Sequence, residues 1–357
     1  MRLLLGGSPC THWSIAQTRN RETQPEGLGW ELFRNYLIAR EHFRPDLYLY
    51  ENNKSMAPAI REQITAELGV EPILINSALV SAQNRQRLYW TNIPGVEQPD
   101  DLGIVLRDVL ETSPPLREMS VTSDWISARP LAEAVSVNTC VPKPVRIKWL
   151  GSLYGQHSRW GIYDVDGKAP TLTASAGMGG GHIPMYPIFL DMMECGENRA
   201  QPGCKTYPIY EVKANHITMK GKQYPVRLAD GFYMIRKLTV TECKRLQTVP
   251  EKYIFPVSDS QAYTMLGNGW TVDVIAHILS YCPGITTEPL NVLSMYDGMS
   301  CGRLALEKLE TNIVRYYATE INTYAIKTTQ TNFPDTIQLG NAFQVREDDW
   351  WSFAVTE

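Results

Sequence analysis

"NVLSMYDGMSCGRLALEKL", residues 291–309, opens as an apolar run, breaks at a turn holding Gly298 and Gly302, and resumes with apolar residues at helical spacing. A buried strand, a tight turn and a helix make the first βα unit of a doubly wound α/β fold, with the helix expected from near Arg303. Such a turn lets a ligand approach bare backbone and a helix N-terminus. The following run, "IVRYYATE", predicts a second strand ending in Glu320, where a carboxylate can bind two ribose hydroxyls. The turn is not GxGxxG, so an adenosyl ligand other than a nicotinamide cofactor is favoured.

The same rhythm recurs in the first third. "RLLLGG", "DLYLYENN" and "EPILINSALV" read as strands, with the helix-like stretches "GLGWELFRNYLIAREHF" and "MAPAIREQITAEL" between them. Alternation of this kind predicts a mostly parallel sheet covered on both faces. Residues 96–232 break the pattern, being rich in Gly, Pro, Tyr and Lys, and predict a separate loop-rich lobe. Helical patterning returns in "RKLTVTECKRLQ" and "GWTVDVIAHILSYC".

Charge is divided unevenly. Residues 140–250 carry 15 Lys and Arg against 8 Asp and Glu, whereas residues 285–357 carry 5 against 10. The middle segment is thus suited to phosphates although the whole chain has a net charge of −4. Seven scattered cysteines without a CxxC suggest neither a disulfide framework nor a zinc site, and predict reduced thiols. No apolar run approaches the roughly 20 residues that span a bilayer, and the N-terminus does not read as a signal peptide. The expectation is a cytoplasmic protein with no membrane partner and no metal, acting as a monomer.

Six stretches carry a specific resemblance. "SMYDGMSCGRLALEKL" resembles the S-adenosylmethionine motif of the DNA cytosine-5 methyltransferases, especially bacterial and phage members and the animal de novo enzymes. "GGSPC" resembles their catalytic loop, "YENN" their glutamate motif and "SAQNRQRLYWTN" their arginine motif. "RKLTVTECKRLQTVP" and "AYTMLGNGWTVDVIAHIL" are similar to their two closing motifs. The order is unusual, because the family places its cofactor half first. Here Cys10 opens the chain and the cofactor motif begins near residue 291, which implies a circular permutation cut just before a central strand. The implied organisation is a catalytic half (1–95), a target-recognition lobe (96–232), closing helical motifs (233–284) and a cofactor half (285–357).

The resemblance implies methyl transfer from S-adenosylmethionine to carbon 5 of a flipped-out cytosine in double-stranded DNA. That carbon is a poor nucleophile until a thiolate adds to carbon 6, and Cys10 is the implied nucleophile. By position alone, Cys10 reads as a small buried hydrophobe, as most free cysteines do. Glu51 is implied to hold ring nitrogen 3, at the end of "DLYLY". Arg85 and Arg87, two apart and therefore on one face of an extended strand, are implied to contact the cytosine carbonyl and nearby phosphate, with Arg85 leading and Arg87 supporting. Tyr296, Asp297, Gly298, Glu320 and Asn341 are the implied cofactor residues, with Asn268 and Trp270 closing the pocket. Asn341 stands where the family usually has aspartate, and its carbonyl can still accept a hydrogen bond from the adenine amino group. "GIYDVDGKAPTLTASAGMGGGHIP" resembles the entry to the bacterial recognition region and is expected to supply polar groups for phosphates. Two alternatives stay open: an RNA (transfer RNA) cytosine-5 methyltransferase, and a non-catalytic DNA-binding decoy.

Overall fold

A computed structural model describes residues 1–15, 19–111, 145–155, 159–178, 181–190 and 209–355. The expected recognition lobe therefore lies partly outside the described residues, as does part of its Gly-rich entry segment.

Among the described residues, two seven-stranded sheets organise the chain. The first takes β1 (Arg2–Gly6), β2 (Leu47–Asn53), β3 (Ile73–Asn76) and β4 (Gln86–Thr91) from the N-terminal region. The second contains β5 (Trp149–Ser152), β6 (Gly161–Tyr163), β7 (Met185–Leu190), β8 (Ile209–Lys213), β9 (His216–Met219), β10 (Lys222–Pro225) and β11 (Gly231–Lys237). The remaining strands, β12 (Leu290–Met295), β13 (Ile313–Thr319) and β14 (Ile337–Gln338), return to the first sheet. Its order is β14-β13-β12-β1-β2-β4-β3, with β4 alone antiparallel to its neighbours. The second sheet, β10-β9-β8-β11-β7-β6-β5, is antiparallel except where β6 meets β7.

β1 is central because it has no polar face. Leu4 packs on one side with α1 (Gly27–Phe43) and α2 (Pro58–Leu68), whose Phe33, Tyr36, Ile60 and Ile64 are fully buried there. Leu3 and Leu5 pack on the other side with the apolar faces of α4 (Val240–Leu246), α6 (Val272–Ser280) and α7 (Cys301–Lys308). A run of three leucines is what a strand covered on both faces requires. Three further helices complete the described regular structure before the tail: α3 (Leu106–Val109), α5 (Asp259–Asn268) and α8 (Thr323–Asn332). α7 begins at Cys301, two residues before the expected start near Arg303.

The first and last described segments meet at the C-terminal end of α1. The Met1 ammonium donates to the Pro289 carbonyl at 2.8 Å, and the Arg2 guanidinium donates to the Phe43 carbonyl at 3.1 Å. Trp351 is buried and stacks on His42 with ring centroids 5.0 Å apart. Between Asn341 and Val355 the backbone forms 3-10 turns and a short helix, α9 (Ser352–Val355).

Candidate active site

Strand order reverses between β12 and β1: the chain proceeds from β12 outward to β13 and β14, and from β1 outward to β2. In an open α/β sheet, ligands bind at the carboxyl edge of such a switch point. Both sequence motifs that carry chemistry lie there.

On the β1 side the chain turns through Gly7, Ser8 and Pro9 into a 3-10 turn, Cys10–His12. A Cβ at Gly7 would sit 3.0 Å from Glu51 Oε2 and 3.2 Å from the Trp270 ring, so a side chain there would crowd both. Ser8 Oγ and the Tyr50 hydroxyl lie 2.6 Å apart, and Asn52 Nδ2 donates to the Ser8 carbonyl at 3.1 Å. Tyr50 and Asn52 thus hold the Cys10 turn from one face of β2, leaving Glu51 to the other. Glu51 is 8% exposed, with Oε1 3.0 Å from Arg87 Nε and Oε2 accepting from Trp270 Nε1 at 2.8 Å. Burial pushes the Cys10 thiol pKa up; the Arg87 and Arg85 charges oppose that rise, and the Glu51 charge adds to it.

The two arginines have different surroundings. β4 starts at Gln86, so Arg85 stands just before the strand and not on a shared strand face with Arg87. Its guanidinium donates to the carbonyls of Leu172 (2.8 Å), Gly267 (3.2 Å) and Gly269 (2.8 Å), and only 3% of the residue is exposed. Burial, followed by the Arg87 charge, lowers its pKa to about 10. Arg87 is the guanidinium paired with Glu51.

On the β12 side, Tyr296, Gly298 and Ser300 all have positive φ (61°, 59° and 59°) and fold the turn back against β13. The face of Gly298 is open, since the nearest atom to a Cβ built there is the Tyr296 carbonyl oxygen at 4.0 Å. Glu320 accepts from the backbone N–H of Gly298 (2.8 Å), Ile321 (2.8 Å) and Asn322 (2.7 Å). The Asp297 carboxylate points inward, accepting from the Tyr316 hydroxyl at 2.7 Å and from the Ser300 hydroxyl. Burial lifts its pKa to about 6 against the hydrogen bonds that favour its ionised form. Tyr296 donates its hydroxyl to the Leu32 carbonyl at 2.7 Å. Asn341 is exposed and uses its side-chain carbonyl to cap the 3-10 turn behind it, accepting from Phe343 N at 3.0 Å. Asn268 is exposed at the end of α5.

Part of the basic character of the middle segment is internal. Lys168 is 2% exposed and donates to the carbonyls of Ala78, Ser81 and Ile104, so it braces the interior and is not available to a phosphate. Arg236 is buried against Glu242 at 2.6 Å. Arg146, Lys148, Arg159, Lys213, Lys220, Lys222 and Arg227 remain exposed. Among the described residues, no group of three His, Cys, Asp or Glu side chains could hold a metal ion, and no helix is long and apolar enough to cross a membrane.

Sequence reasoning missed the Trp270–Glu51 contact and the Tyr50–Ser8–Asn52 brace. Strand parity alone could have exposed the second, since Tyr50 and Asn52 are two apart on opposite parity to Glu51.

Similar solved structures include the Entamoeba histolytica methyltransferase EhMeth, at 15% identity over 78% of this chain and 76% of that chain, with a TM-score of 0.43. Another is the S. pombe Dnmt2 methyltransferase, at 17% identity over 78% and 76%, with a TM-score of 0.39. A family model described as C-5 cytosine-specific DNA methylase matches residues 145–283, the stretch from β5 through α6. Residues 145–283 are thus similar to a C-5 cytosine-specific DNA methylase domain, a family whose members take their methyl group from S-adenosylmethionine.

Proposed function

We propose that the protein methylates carbon 5 of cytosine in double-stranded DNA through a covalent Cys10 adduct. The observation that carries this reading is the convergence of the Cys10 turn, Glu51 and Arg87 at the carboxyl edge of the sheet, beside the Tyr296–Ser300 turn. The Cys10 thiolate adds to carbon 6 while Glu51 holds nitrogen 3, and the displaced electrons make carbon 5 nucleophilic. S-adenosylmethionine, when bound, supplies the electrophilic methyl group. Loss of the carbon 5 proton then expels the Cys10 thiolate and restores the aromatic ring. Arg87 has two tasks here: its charge opposes the burial that disfavours the thiolate, and it orients Glu51. Arg85 acts one step removed, tying β4 to the Leu172 and Gly267–Gly269 backbones.

The open face of Gly298 beside Glu320 fits an adenosyl ligand. Tyr296, Gly298, Glu320 and Asn341 would hold it, with Asp297 fixing the turn from behind. The exposed lysines and arginines of the second sheet favour a polyanion, and a stacked target base must be flipped out to reach Cys10. Circular permutation is supported by the placement of β1 directly between β12 and β2, with the Met1 ammonium against Pro289.

Incubation with labelled S-adenosylmethionine and separate pools of duplex DNA and transfer RNA tests the substrate. Label in DNA is the expected result; label only in RNA overturns the DNA reading, and label in neither overturns both.

A further inference from the structure

The indole of Trp270 touches both halves of the site. The edge of its six-membered ring lies 3.2 Å from a Cβ built on Gly7 and 3.6 Å from one built on Gly302, so it wedges between the Cys10 turn and the start of α7. Its pyrrole side donates Nε1–H to Glu51 Oε2 at 2.8 Å. Its backbone is fixed on both sides: Arg85 holds the preceding Gly269 carbonyl at 2.8 Å, and its own N–H is hydrogen-bonded to the Cys301 sulfur.

We propose that Trp270 is a positioning residue for Glu51, not only a wall of the cofactor pocket. The inference rests on the reading of Glu51 as the group that meets cytosine nitrogen 3. A carboxylate paired at one oxygen alone can still rotate about its last bond. Arg87 engages Oε1 and Trp270 engages Oε2, and two donors on opposite oxygens fix the carboxylate plane. Trp270 keeps Oε2 when a base arrives, leaving Oε1, beside Arg87, to face it. The donor is neutral and lies on the connection between α5 and α6, so it stabilises that orientation without a second cation next to Cys10.

Carbon 5 hydrogen exchange separates this role from cofactor binding. Thiolate addition to carbon 6 with nitrogen 3 held by Glu51 leaves carbon 5 able to take a proton from water. Loss of the original hydrogen and expulsion of the thiolate then regenerate cytosine, with no methyl donor consumed. Tritium release is therefore measured from genomic duplex DNA labelled at cytosine carbon 5, without S-adenosylmethionine. Trp270→Phe keeps the ring and removes only the Nε1–H. It is expected to slow release about tenfold or more, as loss of a hydrogen bond to a charged group implies, while its dissociation constant for S-adenosylmethionine stays within about threefold of wild type.

Gly7→Ala supplies an independent perturbation, since its methyl group would crowd both Glu51 Oε2 and the indole. It too is expected to slow release with cofactor binding retained. Wild-type release rates in both folded variants would overturn the inference, as would slowing in Trp270→Phe matched by an equal loss of cofactor affinity. A wild type that binds S-adenosylmethionine but neither exchanges nor methylates would instead overturn the role of Glu51 itself.

Discussion

The two sides of the switch point solve one problem with different materials. Each has a strand ending in a turn and a neighbouring strand ending in a glutamate: β12 with Glu320 on β13's side, β1 with Glu51 on β2. Glu320 is held by three backbone amides from Gly298, Ile321 and Asn322. Glu51 is held by two side chains, Arg87 from β4 and Trp270 from beyond α5. The first arrangement is local and survives most side-chain changes. The second exists only when distant parts of the chain are packed together.

Substitutions on the two sides should therefore fail differently. The largest effect is expected on the β1 side at Cys10. Cys10→Ala should abolish both methylation and denaturation-resistant trapping on duplex DNA carrying 5-fluorocytosine, while much DNA binding remains because phosphate contacts supply it. Cys243→Ala and Cys301→Ala should still be trapped; both thiols are buried, and burial pushes the Cys301 pKa to about 12. Normal adduct formation by Cys10→Ala on denaturing gels would remove the nucleophile assignment.

The arginine pair sharpens the comparison. Arg85→Ala strands three buried carbonyls and should cost about 3–5 kcal/mol in urea unfolding, since each unsatisfied group costs about 1–3 kcal/mol. Arg87→Ala leaves the buried Glu51 carboxylate without its cation, a loss that costs about 3–5 kcal/mol where a buried pair is broken, and should also lower turnover at least tenfold. A stable Arg85 variant with selectively lost turnover would return the leading catalytic role to Arg85.

On the β12 side, Glu320→Ala should raise the dissociation constant for S-adenosylmethionine about tenfold to a hundredfold, with tritium exchange in its absence little changed. Calorimetry showing unchanged affinity in a folded variant would displace the cofactor pocket from this turn.

The smallest effect is expected at Asp297. With its pKa raised to about 6 by burial, the folded state keeps a proton that an ordinary unfolded carboxyl, near 3.9, has already released. Its contribution to stability is therefore present below about pH 4 and is lost as the pH rises through about 6. Wild type should lose stability relative to Asp297→Asn across that window and run parallel to it above. A flat difference in thermal melts from pH 4 to pH 7 would show that the inward carboxylate does not titrate there.

How far the sequence reached follows the same division. The pattern "NVLSMYDGMSCG" marked a strand, turn and helix, and the three leucines of "RLLLGG" marked a strand covered on both faces, because periodicity and glycine positions are local signals. Residue spacing suggested a shared face for Arg85 and Arg87, but β4 begins between them and sends one guanidinium into the interior. The positive balance of residues 140–250 counts Lys168 like any other lysine, but its ammonium lies among three backbone carbonyls.

The sequence by itself determined the alternating α/β pattern, the glycines where the backbone must approach closely, and the chemical types available at each strand end. Only the tertiary structure decided which of those groups meet. Trp270 and Glu51 are 219 residues apart in the chain, and their hydrogen bond exists because α5, α6 and β2 pack around the same sheet edge. A contact of that kind leaves no periodicity in the sequence, since its geometry comes from packing and not from any repeat along the backbone.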